Sequence, residues 1–143
     1  MVFHIFTDGS ALSNKKDAHA GWAFYMPQIN YYECGPMTGT NNQAELRAIF
    51  NALHYFINSA ITNVDQIEIY SDSQYSIKGI TGVNKVNANV GEIFAIRELI
   101  GSLKTEGISV NFIYVQAHTG KNDYFSKCNE FVDKLANSSA SSQ

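Results

Sequence analysis

The chain has 143 residues, 45% of them hydrophobic and 13% aromatic, which suits one globular domain and excludes both a disordered polymer and two independently folded cores. A net charge of -3, with 13 acidic against 10 basic residues, argues against tight nonspecific DNA binding, yet it allows a polyanionic partner where bound cations neutralise an acidic cluster. No basic leader precedes an apolar segment and no stretch approaches the ~20 apolar residues of a membrane span, so a soluble, cytoplasmic protein is expected. Cys34 and Cys128 have no metal-ligand spacing and read as ordinary buried or half-buried thiols.

The apolar run Val2-Phe3-His4-Ile5-Phe6 predicts a buried strand with Asp8 at its end. Residues 20–25 and 31–34 read as two more strands joined by a turn near Pro27 and Asn30, which makes an antiparallel meander. Thr40-Asn41-Asn42-Gln43 fits a capping box, and it opens a helix over residues 41–59 with Leu46, Ile49, Leu53 and Phe56 as the buried stripe. Glu45 lies beside that stripe in the first turns, so its carboxylate can lean toward the sheet edge.

Ile67-Glu68-Ile69-Tyr70 predicts another buried strand, followed by Asp72 and a short helix over 73–80 that ends at Gly82. A longer helix over 89–104 turns Ile93, Ile96, Ile100 and Leu103 inward, and residues 109–115 alternate as a strand. The last helix begins near Asp123 with Phe125, Cys128, Val132 and Leu135 as its apolar stripe and Asp133 beside it. Residues 137–143 look unable to pack and are expected to be a disordered tail, leaving a domain over 1–136. The order βββαβααβα implies an α/β fold, a five-stranded mixed sheet flanked by helices.

Asp8, Glu45, Asp72 and Asp133 each fall where an element begins or ends. Parallel strands would bring Asp8 and Asp72 together at the carboxyl ends of the sheet, where ligands of such folds bind. Crowded carboxylates are costly without cations, and oxygen-only ligands select Mg²⁺ or Mn²⁺ over zinc. Two such ions about 3.5 to 4 Å apart suit in-line hydrolysis at phosphorus. Taken singly, each acid also fits a solvated surface group, and Asp72 before Ser73-Gln74 fits a helix cap.

Taken together, the segments are specific. Thr7-Asp8-Gly9-Ser10, Thr40-Asn41-Asn42-Gln43-Ala44-Glu45, Ser71-Asp72-Ser73-Gln74-Tyr75, Val115-Gln116-Ala117-His118-Thr119-Gly120 and the closing stretch from Asn129-Glu130 to Asp133-Lys134-Leu135-Ala136 occur in this order. The chain resembles type 1 ribonuclease H across nearly its whole length. The resemblance implies the RNase H-like fold, endonucleolytic cleavage of the RNA strand of RNA/DNA hybrids with two Mg²⁺ ions (Mn²⁺ as substitute), and 3′-hydroxyl and 5′-phosphate ends. It makes Asp8, Glu45, Asp72 and Asp133 the metal-binding carboxylates, with Glu45 also orienting the substrate 2′-hydroxyl. His118, which follows a strand and precedes a polar glycine loop, becomes an aid to proton transfer and product release. His4, His19 and His54 carry no such implication.

Sensing a hybrid requires short polar groups in a wide, shallow minor groove. The resemblance assigns this contact to Gly9, Ser10, Asn41, Asn42 and Gln74, with Thr40 near a pocket for a DNA phosphate; capping alone would also explain Thr40, Asn41 and Asn42. The chain departs from some family members between Ile80 and Asn89, where a basic, tryptophan-containing protrusion is absent and one lysine stands. That predicts weaker, more salt-sensitive binding, or help from a fused or associated replication or reverse-transcription protein, on an otherwise monomeric enzyme. Lys78, Lys85, Lys121 and Lys127 are the candidate phosphate contacts. The alternatives are another nuclease of the same fold and a non-catalytic hybrid-binding domain. The repulsive acidic cluster argues against the second of these.

Overall fold

A computed structural model describes residues 1–117 and 119–142. Five strands and four α-helices alternate as β1 (Val2–Ala11), β2 (His19–Met26), β3 (Tyr31–Thr38), α1 (Asn41–Ile57), β4 (Gln66–Ser71), α2 (Gln74–Thr81), α3 (Val90–Thr105), β5 (Ser109–Tyr114) and α4 (Tyr124–Ser141). The sheet order is β3-β2-β1-β4-β5. β1, β2 and β3 pair antiparallel, and β1, β4 and β5 pair parallel, so the sheet is mixed as expected. Among the described residues no helix is long and apolar enough to cross a membrane.

The two-residue repeat of β1 divides its side chains between two cores. Phe3 and Ile5 join Leu46, Ile49, Leu53, Ile67, Ile69, Ile93 and Ile96 beneath α1 and α3. Phe6 joins Ala23, Tyr70, Cys128, Val132 and Ala136 beneath α4. The α4 core is the smaller, and His4 borders it: Nδ1 stands 2.9 Å from the Tyr124 hydroxyl and Nε2 3.2 Å from Glu68.

Local signals set the helix ends. Thr40 caps α1 with both halves of the box formed, its hydroxyl accepting from the Gln43 N–H and the Gln43 carboxamide accepting from the Thr40 N–H. Ser73, not Asp72, caps α2, which ends at Gly82 in the left-handed region. Arg97 of α3 donates to the carbonyls of Gly79 and Ile80, satisfying the open C-terminal end of α2.

Three expectations need correction. Residues 137–141 are not a disordered tail: α4 continues to Ser141, with Ser139 and Ala140 buried. The reason lies in β2, where a Cβ on Gly21 would stand 2.3 Å from the Ala136 carbonyl oxygen and 2.6 Å from the Ala140 nitrogen, so glycine lets the helix lie directly on the strand. Phe125, read as part of the buried stripe, is 43% exposed, because it sits in the first turn of α4 at the rim of the small core. Cys34 is exposed on β3, an edge strand whose side chains alternate between half-buried and exposed.

Candidate active site

Asp8 lies within β1 rather than at its end, since the strand runs on to Ala11 as one arm of the hairpin with β2. Its parallel pairing with β4 stops at Phe6 opposite Tyr70, and Asp8 and Asp72 each stand two residues beyond that pair. The parallel arrangement therefore delivers both acids to the same level of the sheet. Asp8 faces Ala23 across the hairpin, and cross-strand partners share a face, so it lies on the side covered by α4, which carries Asp133.

Gly9 explains how α1 comes so close. A Cβ there would sit 2.2 Å from the Ala44 carbonyl carbon and 2.2 Å from the Glu45 nitrogen. With only hydrogen at that position the first turns of α1 rest on β1, and the Gly9 N–H donates to Glu45 Oε1 at 2.7 Å and to Asp8 Oδ1 at 2.9 Å. One backbone donor thus fixes two carboxylates.

Oxygens of Asp8, Glu45 and Asp72 all lie within 4.8 Å of one another. Asp8 is 3% and Glu45 5% exposed, and Asp72 is half-buried. Burial pushes the Asp8 carboxyl up to about 9, with the nearby charges of Asp72 and Asp133 adding to the rise. Glu45 is held well above the usual carboxylate range by burial and by the charges of Asp8 and Asp72. Asp72 is raised by burial, an effect offset in part by hydrogen bonding with Glu45 and Asp8. Three hard oxygen donors that repel one another in a dry setting fit a divalent cation, which would relieve the repulsion. Asp133 stands outside the 4.8 Å set, half-buried on α4, near enough for its charge to reach Asp8.

Beside Asp133 is a cavity of about 330 Å³ lined by Gln116, Thr119, Lys121, Ser126, Asn129 and Glu130, among others. His118 lies outside the described residues. Thr119 holds the loop after β5 to α4 through a 3.2 Å contact between its hydroxyl and that of Ser126. Asn129 is 4% exposed, and among the described residues its side-chain oxygen has no hydrogen-bond partner.

The expected substrate-binding residues divide into two groups. Thr40, Asn41 and Asn42 line one groove of about 520 Å³ at the start of α1. Gly9 is buried with its N–H engaged by the carboxylates, and Ser10 is half-buried beside it on β1. Gln74 is exposed at the first position of α2, adjacent to Tyr75, which does line the groove.

Sequence reasoning missed Asn14, Tyr75 and Asn89, which complete the groove with Ala88. Asn89 reads from sequence as the first residue of the helix over 89–104, but α3 begins at Val90, and Asn89 has a φ of 53° and donates from its side chain to the Tyr75 hydroxyl at 2.9 Å. Asn14 carries the signal of a polar turn residue close after Asp8-Gly9-Ser10, which alone does not select a groove.

A family model described as RNase H matches residues 2–141. A ribonuclease H of Anaeromyxobacter sp. (strain K) is 31% identical over 96% of this chain and 79% of its own length. The crystal structure of RNase H1 from the halophilic archaeon Halobacterium salinarum NRC-1 covers 100% of both chains with a TM-score of 0.72 at 25% identity. LC11-RNase H1, solved in complex with an RNA/DNA hybrid, shares the fold at a TM-score of 0.69 and 23% identity, covering 98% of this chain and 97% of its own.

Proposed function

Since the chain belongs to the ribonuclease H family, we propose that the carboxylate cluster is the catalytic centre of an endonuclease that hydrolyses the RNA strand of RNA/DNA hybrids. The observation that carries this reading is the convergence of Asp8, Glu45 and Asp72 within 4.8 Å at the carboxyl end of parallel strands. Asp8, Glu45, Asp72 and Asp133 would between them hold two Mg²⁺ ions, with Asp133 completing the second site and Mn²⁺ serving as substitute. When bound, the ions supply an activated water and neutralise charge on the leaving 3′-oxygen, so that cleavage leaves 3′-hydroxyl and 5′-phosphate ends.

The chain's own groups do the rest. The Gly9 N–H fixes the Glu45 and Asp8 carboxylates, so their geometry is set before substrate arrives. Glu45, at the start of α1, would meet the 2′-hydroxyl next to the scissile bond, as the family resemblance implies. Asn41, Asn42 and Gln74 offer amide donors and acceptors to the minor groove, Ser10 adds a hydroxyl beside Gly9, and Thr40 marks the seat of a DNA phosphate. His118, by its place in the family motif, takes the proton-transfer and product-release role. The reading includes cytoplasmic action as a monomer, with extra grip from a fused or associated replication or reverse-transcription protein, because residues 82–89 supply a single lysine.

A panel of labelled RNA/DNA hybrid, RNA/RNA, DNA/DNA and single-stranded RNA, incubated with the chain in Mg²⁺ or Mn²⁺, tests this. Cutting confined to the RNA of the hybrid is expected. Cutting of DNA/DNA would mark a different nuclease on the same fold, and binding without cutting a non-catalytic domain.

A further inference from the structure

The turn between β1 and β2 sets two lysines beside the substrate groove. Leu12-Ser13-Asn14-Lys15-Lys16-Asp17-Ala18 joins the strands, and Asn14 lines the groove with Thr40, Asn41, Asn42, Tyr75 and Asn89. Lys15 and Lys16 follow Asn14 directly and are exposed, and among the described residues neither forms an ion pair.

The turn is held in place at several points. Leu12 N–H donates to the His19 carbonyl at 2.9 Å, closing the hairpin, and Ala18 N–H donates to the Lys15 carbonyl at 3.2 Å. Lys15 N–H donates to the Ser13 hydroxyl at 3.3 Å. Gly39 N–H then donates to the buried Ala18 carbonyl at 2.9 Å, which ties the turn to the residue preceding the Thr40 cap. The lysine pair is therefore fixed relative to the start of α1, and β1 carries only three residues between Asp8 and the turn, about 10 Å of strand. Elsewhere among the described residues, Lys134 is paired with Glu130 and Arg97 is committed to the end of α2.

We propose that Lys15 and Lys16 form an electrostatic grip on the phosphodiester backbone of the hybrid seated in this groove. The inference rests on the hybrid-cleaving reading and names residues that the family motifs do not include. Lysines on a fixed turn meet phosphates as point charges, adding affinity without sequence preference. Asp17, the acid of the same turn, opposes them, so its removal acts in the reverse direction.

The test is steady-state cleavage of a labelled hybrid across a salt series. For the Lys15→Gln/Lys16→Gln variant, KM rises several-fold near 100 mM salt, and the slope of log(kcat/KM) against log[salt] flattens by about one unit per lysine. Lys15→Arg/Lys16→Arg restores both values, and Asp17→Asn lowers KM. Lys104→Gln, a single charge loss at the far end of α3, leaves the slope as in the parent. A double glutamine variant with the parent slope, or an equal change in Lys104→Gln, would overturn the grip while leaving the hybrid-cleaving reading intact. A parent chain that does not cut the hybrid would overturn both.

Discussion

Asp8 and Gly9 are neighbours under opposite constraints: one carries an ionisable group into a dry place, and the other must have no side chain. A methyl group on Gly9 would meet backbone atoms of Ala44 and Glu45 at 2.2 Å, and neither atom belongs to a side chain that could swing aside. Gly9→Ala should therefore push α1 off β1, costing about 3 kcal/mol or more in denaturant unfolding and removing hybrid cleavage along with it. Asp8→Asn works the other way on stability. The Asp8 carboxyl has an ordinary value of 3.8 and is raised to about 9 in the fold, so the folded chain holds a proton that the unfolded chain has released. Stability from this group is present below 3.8 and is lost as pH rises toward 9. Without metal, Asp8→Asn should raise the thermal midpoint at pH 8 by about 3 °C or more, and by less at pH 5, as read by calorimetry. An equal shift at both pH values would contradict the burial argument.

The elements were legible in sequence wherever their signals were local. The Thr40–Gln43 box, the stripe from Leu46 to Phe56 and the stop at Gly82 depend on neighbours within one or two turns, and each forms as read. The end of α4 was not legible, because Asn137, Ser138 and Ser139 are poor helix formers whose place is decided by Gly21, more than a hundred residues away. The phenyl ring of Phe125 misled for a related reason: helical spacing gives a face but not how far the sheet extends beneath it. Deletion of residues 137–143 should remove the buried Ser139 and Ala140 contacts and cost about 1–3 kcal/mol, a drop of roughly 3–8 °C in the thermal midpoint. A midpoint unchanged by that deletion would show that the last turns add nothing to the fold.

At the scale of the whole molecule, the candidate site was legible as a set of acids but not as a surface. Asp8 and Asp72 could be brought together by reasoning from parallel strands, and Glu45 from a helix start, whereas the groove of Asn14, Thr40, Asn41, Asn42, Tyr75 and Asn89 draws on four segments whose meeting no local pattern encodes. The acids also dominate the charge balance. Two divalent ions would add four charges to a formal net charge of -3 and leave the loaded chain weakly positive, which suits a polyanionic substrate. The account's central claim is that the cluster of Asp8, Glu45 and Asp72 is where metal-dependent hydrolysis takes place, and the most direct measurement is cleavage of a labelled RNA/DNA hybrid by the parent chain and by Asp8→Asn, side by side in Mg²⁺ and in Mn²⁺, with folding of both checked by circular dichroism. The account predicts cutting by the parent only when metal is present, and a loss of about 10³-fold or more in a folded Asp8→Asn variant. Cleavage by that variant within tenfold of the parent would contradict it.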